Sequence, residues 1–324
     1  MPLQSTSGAS TYDAFGVASS SGGGGGDGTV GIFAIGYSCS IANPSNIRNK
    51  YTYATCASTT SGVATSSAGS TGGSAAGNST RGIFTLGYNV GFVINTIRNK
   101  YTYASDTSTA CGVGTASIAS ANGAAAGNST RGIFALGCCG TSTRNKYTYA
   151  TCSSTACGVA AASGNSGSGS AAGNSTIGIF ALGFSGGAST IRNKYTYASC
   201  TSTASGVAAA SNASFGGSAA GNSTRGIFAV GSVCFAGSVI RNKYTYACDT
   251  STTSGVGTSS VGSRFGAAAG NSTRGIFALA CVPGRNTRNK YTYACDTSTA
   301  CGVGVASDNS RAGAAASWAT CVNS

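Results

Sequence analysis

An internal repeat limits the fold of this chain more than any other feature. A G-I-F-A-L-G block or a close variant begins at six glycines spaced 46 to 51 residues apart: Gly31, Gly82, Gly132, Gly178, Gly226 and Gly275. An R-N-K-Y-T-Y block follows each of them, beginning at Arg48, Arg98, Arg144, Arg192, Arg241 and Arg288. Both blocks are short, contain aromatic and β-branched residues, and are bounded by Gly, Ser and Asn, which is typical of strands. The period predicts units that stack against each other.

Two further elements occur seven times rather than six. A run of small residues precedes each G-I-F block and recurs at 314–316, with the glycine run 22–26 as a degenerate first copy. A Gly-Val pair also recurs, from Gly16 to Gly302. We therefore predict four antiparallel strands per unit: a (small residues), b (G-I-F), c (Y-T-Y) and d (Gly-Val). The Gly-Asn step between strands a and b tolerates positive φ, as a tight turn requires.

Four strands at this period predict an all-β fold, a seven-bladed β-propeller that forms a single domain over residues 1–324. In this prediction the last blade is closed by the N- and C-terminal strands, because closure removes the exposed strand edges of an open array. An open β-solenoid is the alternative. The predicted blades are 21–68, 72–118, 122–163, 168–211, 216–260, 265–307, and 312–324 joined to 1–20.

The links between the strands differ in how much they vary from unit to unit. The a–b and c–d links hardly change, whereas the b–c and d–a links vary strongly and leave an antiparallel blade at the same end. Variable loops on a rigid scaffold commonly carry binding function, although the same variation arises in loops without a partner. The candidate binding residues on this variable face are Tyr37, Tyr88, Phe92, Phe184, Phe215, Phe235, Phe265 and Arg285.

The residue types present argue against catalysis. The chain has no histidine, and its acidic residues are six aspartates, so the commonest general base and nitrogen metal ligand are missing. Asp106, Asp249 and Asp296 follow strand c in separate units, where we expect them to cap turns. We therefore predict no enzyme activity, no cofactor and no metal site.

Cysteine occurs 14 times, but at positions that are not consistent between units. Cys152 with Cys157, and Cys295 with Cys301, lie across predicted c–d hairpins and are candidate disulfides, with free thiols as the alternative. The N-S-T triplets match the glycosylation sequon, but we interpret them as hairpin turns. Cysteine otherwise behaves as one more small residue.

The net charge of +13 is spread by the repeat, because the R-N-K triplets carry 12 of the 19 basic residues. A distributed charge predicts a weak attraction for polyanions, such as a host-surface glycan, and we do not expect nucleic acid as a partner. Strand alternation places Tyr51 and Tyr53 opposite Arg48 and Lys50. We expect the tyrosines to pack between blades and the basic residues to contact backbone carbonyls, with an anionic ligand as the alternative.

The order S-R-F-G-A-A-A at 263–269, G-I-F at 275–277 and Y-T-Y at 291–293 resembles the kelch repeat. The double glycine that follows strand b in kelch repeats is single here, and Trp318 is the only tryptophan. The chain also resembles the kelch-like repeat proteins of bacteriophage tail fibres and appendages. That resemblance implies a non-enzymatic virion module that recognises a host surface. The alternatives are a decoration or assembly subunit that binds other virion proteins, and an intracellular kelch-like interaction scaffold.

The same resemblance implies a location in the virion, with a cytoplasmic location as the alternative. The N-terminal residues Met1 to Gln4 begin no signal sequence, and no window is apolar enough for a membrane helix. We therefore expect synthesis in the host cytoplasm and no membrane insertion.

Overall fold

A computed structural model describes residues 21–23, 29–137, 141–184, 186–233, 236–280, 285–311 and 313–317. These residues form an all-β propeller of six blades, each with four antiparallel strands in the order a-b-c-d. The a strands lie side by side around the axis, since each contacts strand a of both neighbouring blades.

The strand bounds are nearly the same in every blade, and the blades are numbered 1 to 6 around the ring. Strand a is Ala314–Ser317, Ala75–Gly77, Ala124–Gly127, Ser170–Gly173, Ser218–Gly221 and Ala267–Gly270. Strand b is Val30–Ala34, Arg81–Thr85, Arg131–Ala135, Ile177–Ala181, Arg225–Ala229 and Arg274–Ala278. Strand c is Arg48–Thr52, Arg98–Thr102, Arg144–Thr148, Arg192–Thr196, Arg241–Thr245 and Arg288–Thr292. Strand d is Ala57–Thr59, Thr107–Thr109, Ser153–Thr155, Thr201–Thr203, Thr250–Thr252 and Thr297–Thr299. Short strands also pair in the links, at Tyr37–Ser38, Asn43–Pro44, Ser232–Val233, Ala236–Gly237 and Ser310–Arg311.

The prediction of seven blades is wrong, and so is the seventh blade built from residues 312–324 and 1–20. Ala314–Ser317 does not start a new blade but pairs antiparallel with Val30–Ala34, so it is strand a of blade 1. The physical reason is that Ile, Phe and Tyr of strands b and c fill the space between blades, and the chain encodes only six such sets. Residues 1–20 lie outside the described residues.

The glycine run also has a different place from the one predicted. Ser21–Gly23 pairs parallel with Ala124–Gly127 of blade 3 and lies close to strand a of all six blades. It therefore runs along the central channel instead of forming strand a of blade 1. Only a backbone without bulky side chains suits so narrow a space, which explains why glycine resembled one more small-residue strand.

The six Gly-Val pairs from Gly62 to Gly302, which the structure describes, are turns rather than strand d. Strand d lies just before each pair, in the segment that was predicted to be the c–d link. In blade 1 the backbone N–H of Val63 donates to Thr60 O at 3.2 Å, and Gly62 has a φ of +71°. Val63 is buried, so the repeated spacing reflects a turn that directs valine into the core.

Neighbouring blades pack through the aromatic residues of the two repeated blocks. Phe134 and Tyr147 of blade 3 contact Ala76 and Ile83 of blade 2 in one buried cluster. The prediction that the tyrosines pack between blades is confirmed. The packing also explains the first glycine of G-I-F, because a Cβ at Gly132 would lie 3.0 Å from both the Ala76 Cβ and the Tyr149 Oη.

A buried arginine joins each blade to the next. Arg144 of blade 3 donates from Nη1 to Ala161 O at 3.1 Å and to Ser202 Oγ at 2.6 Å, and from Nη2 to Asn193 Oδ1 at 3.1 Å. Its guanidinium lies 4.8 Å from the centre of the Phe180 ring. Serine, asparagine and phenylalanine all belong to blade 4, so the arginine spans the interface. The expected contact with backbone carbonyls is confirmed for the arginines, whereas Lys50, Lys194 and Lys243 of the same triplets pair with aspartates.

This arginine bridge is repeated around the whole ring. The Nη2 of Arg288 in blade 6 donates to Asn49 Oδ1 of blade 1 at 3.0 Å, so the last blade is joined to the first. Burial lowers the pKa of each arginine to about 10, which leaves it charged at neutral pH. The bridging arginines are Arg48, Arg98, Arg144, Arg192, Arg241 and Arg288.

The N-S-T triplets form turns, as predicted. Asn128 Oδ1 accepts hydrogen bonds from the backbone N–H groups of Thr130 and Arg131, both at 3.0 Å. Its Nδ2 donates to Ser175 O of the next blade at 3.0 Å. Both ends of the amide are therefore used, which gives this asparagine a structural role in the turn and between blades.

Candidate functional site

The b–c and d–a links lie together at one end of the propeller, which we call the variable face. Backbone bridges join the two kinds of link, for example Ser45 with Ser70 and Thr141 with Ser166. The opposite end, made of the a–b and c–d links, is called the constant face. The loops that differ between units therefore form one continuous surface held by identical blades.

Three of the predicted binding aromatics pack against each other. The Phe184 and Phe215 ring centres are 5.7 Å apart, and those of Phe215 and Phe265 are 6.1 Å apart. Phe215 and Phe265 are 4% and 1% exposed, whereas Phe184 is half-buried. These rings form a small core beneath the loops and offer little surface to a partner.

The other predicted residues have separate environments. Tyr88 is half-buried, and its backbone N–H donates to Thr71 O at 2.8 Å, so it holds two loops together. Arg285 is exposed and its backbone pairs with Ser310. Phe235 lies outside the described residues.

Tyr37 and Phe92 do come together, and they mark an exposed apolar surface. Their rings are stacked with centres 6.3 Å apart and an interplanar angle of 26°. Phe92 is 42% exposed, and in the links that carry Tyr37 and Phe92 the side chains of Ile41, Val90 and Val93 are 60%, 59% and 61% exposed. We call Ile41, Val90, Phe92 and Val93 the apolar patch; it belongs to the b–c links of blades 1 and 2.

The loop of blade 2 is shaped so that it presents these side chains. Asn89 closes it, because its backbone N–H donates to Val93 O and its Oδ1 accepts from the Val93 N–H, both at 3.0 Å. Phe92 has a φ of +60°, which is rare for a bulky residue and costs free energy. The blade 2 loop thus adopts an unfavourable backbone conformation that leaves the Phe92 ring exposed. This favours a role for the ring in binding rather than in stabilising the fold.

Exposed apolar side chains occur throughout the variable face. Within the described ranges, every large apolar side chain that is exposed lies in a b–c or d–a link. The binding residues predicted from the sequence were mainly aromatic and left out the aliphatic members, although β-branched residues at variable positions were a usable signal. The full set is Ile41, Ile47, Val90, Phe92, Val93, Ile97, Ile118, Ile191, Val239 and Val305.

In the part of the chain that the structure describes, the aspartates and cysteines do not come together as a catalytic or metal-binding cluster. Asp106, Asp249 and Asp296 lie in different blades, each paired with a lysine from the preceding blade. No cluster of three or more Cys and Asp ligands among the described residues could hold a metal ion. The arginines of the R-N-K triplets are buried, so they contribute little to an anion-binding surface.

The candidate disulfides are not formed in this structure. Cys152, Cys157, Cys295 and Cys301 are all free thiols. Cys157, Cys295 and Cys301 are exposed, whereas Cys152 lies half-buried between two blades.

Together, the repeated blades and the loop face define a six-bladed β-propeller with one variable, apolar surface. No protein-family model matches the chain, and a search of curated proteins also finds no match. The kelch-like and phage resemblances therefore rest on the sequence patterns alone. Within the described segments no helix is long and apolar enough to cross a membrane.

Proposed function

We propose that the protein is a non-enzymatic binding module of a phage virion appendage, and that it recognises the host surface through the variable face. The observation that carries this proposal is the distribution of exposed apolar side chains, which within the described residues are confined to that face. Contiguous exposed apolar groups commonly mark interaction sites. The virion setting rests on the resemblance to appendage proteins.

The rest of the ring supports a scaffold role. The buried arginines and tyrosines recur in the same places around the axis, so we expect loop substitutions to leave the blades intact. The described aspartates are held in ion pairs or, for Asp308, by the Ser40 hydroxyl at 2.7 Å. This arrangement favours recognition over catalysis as the task of the variable face.

A decoration or assembly subunit is the second candidate. The apolar patch is mainly aliphatic, and desolvated aliphatic and aromatic groups are typical of the centre of protein interfaces. A glycan would instead need several polar partners around an exposed ring. A protein ligand, either a host receptor or another virion protein, therefore fits the patch better than a glycan, and an intracellular kelch-like scaffold would use the same face.

The test compares the Phe92→Ser, Val93→Ser double variant with Ser129→Ala, a matched control in an exposed a–b turn of the constant face. Adsorption to a panel of bacterial cells and binding to a glycan array measure host recognition, while light scattering measures self-association. For host recognition, the wild type and Ser129→Ala should bind to cells or glycans, and the double variant should bind at least about tenfold more weakly.

The other outcomes separate the two candidates. Self-association that the double variant loses, without adsorption to cells or glycans, would support the assembly subunit. Equal behaviour of the double variant and the wild type in all three assays would refute the assignment of the variable face.

A further inference from the structure

One position directly after strand c differs between blades in a chemically regular way. In every blade its φ lies between 50° and 56°, a left-handed conformation that aspartate adopts more readily than cysteine. Three blades have aspartate there and the other three have cysteine. The residues are Asp106, Asp249 and Asp296, and Cys56, Cys152 and Cys200.

In the aspartate blades this position holds an anion between two blades. Asp106 accepts a hydrogen bond from Tyr101 Oη at 2.6 Å and forms an ion pair with Lys50 of the preceding blade. Asp296 has the same two kinds of partner and also accepts from Arg225 Nη1 at 3.2 Å. The surroundings are thus built from a buried hydroxyl and one or two cations.

In the cysteine blades the cationic surroundings remain, but the carboxylate is missing. An arginine Nη1 of the preceding blade lies close to each sulfur, at 3.6 Å for Arg274 and Cys56. The corresponding distances are 3.5 Å for Arg81 and Cys152, and 3.8 Å for Arg131 and Cys200. In the described chain, Lys100, Lys146 and Lys290 form no ion pair, and they are the lysines whose counterparts in the next blade are these cysteines.

The tyrosines provide a second, independent observation. Tyr51, Tyr147 and Tyr195 are fully buried next to the three sulfurs, and their hydroxyls have no oxygen or nitrogen partner. The equivalent hydroxyls of Tyr101, Tyr244 and Tyr291 all donate to aspartate. The three cysteine sites therefore contain buried donors that lack an oxygen acceptor.

We propose that Cys56, Cys152 and Cys200 are oxidation sites for hydrogen peroxide, and that the oxygens added to sulfur take the place of the aspartate oxygens. The geometry that carries the proposal is the arginine Nη1 lying 3.5 to 3.8 Å from each sulfur, since oxidation places negatively charged oxygens beside that cation. Cys56, Cys152 and Cys200 are half-buried residues, so we expect a small oxidant to reach them.

The chemistry balances in two steps. The thiolate sulfur attacks one peroxide oxygen, the S–O bond forms, the O–O bond breaks, and the released hydroxide takes the proton of the new S–OH group and leaves as water. Sulfur loses two electrons and peroxide gains them, which gives a sulfenate. A second peroxide oxidises the sulfenate to a sulfinate in the same way, with a second water as the product. A sulfinate has two oxygens and one negative charge, as a carboxylate has.

The chain contains its own controls for reactivity. Cys111, Cys157 and Cys301 are more exposed than the proposed sites, at turns where the described structure places no cation on the sulfur. If exposure alone determined the rate, these thiols would react first. The proposal predicts the reverse order, because the proposed sites, unlike these turns, place an arginine beside the sulfur and an unpaired tyrosine hydroxyl next to it.

The experiment treats the reduced full-length protein with hydrogen peroxide at neutral pH and follows each cysteine by peptide mass spectrometry. Cys56, Cys152 and Cys200 should gain oxygen at least about threefold faster than Cys111 and its equivalents. Equal rates, or faster oxidation of the exposed set, would overturn the proposal.

Arg81→Ile provides the matched variant, because blade 4 already has isoleucine at the equivalent position, Ile177, and so tolerates it. This change should slow oxidation of Cys152 about threefold and leave Cys56 and Cys200 unchanged in the same sample. Cys152→Asp, which imitates the oxidised side chain, should raise the melting temperature, whereas Cys152→Ser should not. An unchanged Cys152 rate in Arg81→Ile would contradict the proposal, as would a lowered melting temperature in Cys152→Asp.

Discussion

Replacing Arg144 by lysine tests whether the buried guanidinium holds neighbouring blades together. The charge is kept, but lysine is a point donor that cannot reach the acceptors at both Nη1 and Nη2. The hydrogen bond to Asn193 and the stacking on Phe180 are therefore lost. A charge-assisted hydrogen bond contributes about 1.5 to 3 kcal/mol and a desolvated cation–π contact about 2 kcal/mol. We expect the free energy of unfolding to fall by roughly 3 to 5 kcal/mol.

The assay is urea unfolding followed by far-ultraviolet circular dichroism, with Arg131→Lys as the control. Arg131 belongs to strand b of the same blade, is half-buried, and donates to the backbone at Tyr197 O over 2.9 Å. Lysine can reproduce a single carbonyl contact, so the control should cost about 1 kcal/mol or less. If the two variants lost the same stability, the planar fork of Arg144 would not be what joins the blades.

Two further perturbations test the ring and its ion pairs. Deleting residues 312–324 removes strand a of blade 1, so calorimetry should show loss of the cooperative transition; an unchanged transition would show that the closing strand is dispensable. For Asp296, burial alone would raise the pKa, but hydrogen bonds from Lys243 and Tyr291 and the charges of Lys243 and Arg225 lower it below 3.8. A carboxyl group whose pKa is lowered in the folded protein stabilises the fold at every pH above its ordinary pKa. Asp296→Asn should therefore lower the free energy of unfolding at neutral pH. That difference should vanish as the pH falls through and below 3.8; a deficit independent of pH would contradict it.

The repeat predicted the strands and blades but not their number. Each G-I-F and Y-T-Y block carries large residues that can only lie between blades, so these strands are readable from the sequence. Small residues are ambiguous, because alanine at 314–316 fits strand a of any blade and glycine at 22–26 fits both a strand and a channel. Only the position of each segment in the folded ring determines whether it forms strand a of a blade or lies in the central channel.

The variable face was predictable as a surface, whereas its binding residues were not. Whether a loop phenylalanine is exposed depends on the next unit: Phe215 is buried because Phe265 and Phe184 lie against it. Phe92 stacks on Tyr37 and remains 42% exposed. Contacts between units are absent from the pattern of any one unit. For the same reason, the sequence did not predict the contact of Asp106 with another unit. We expected Asp106 to cap a turn, but it also joins two blades through its ion pair with Lys50.

Strand a of blade 1 is formed by Ala314–Ser317, far along the chain from strands b to d of the same blade. Its run of small residues nevertheless resembles strand a of every other blade. The blade interfaces that this strand completes are therefore built from the same types of residue as the other interfaces of the ring. A chain cut at another a–b turn, with its original ends joined, could build the same ring as a circular permutant. By the same degeneracy, the terminal strand of one molecule can complete blade 1 of a second, so strand-swapped oligomers compete with the closed monomer as concentration rises.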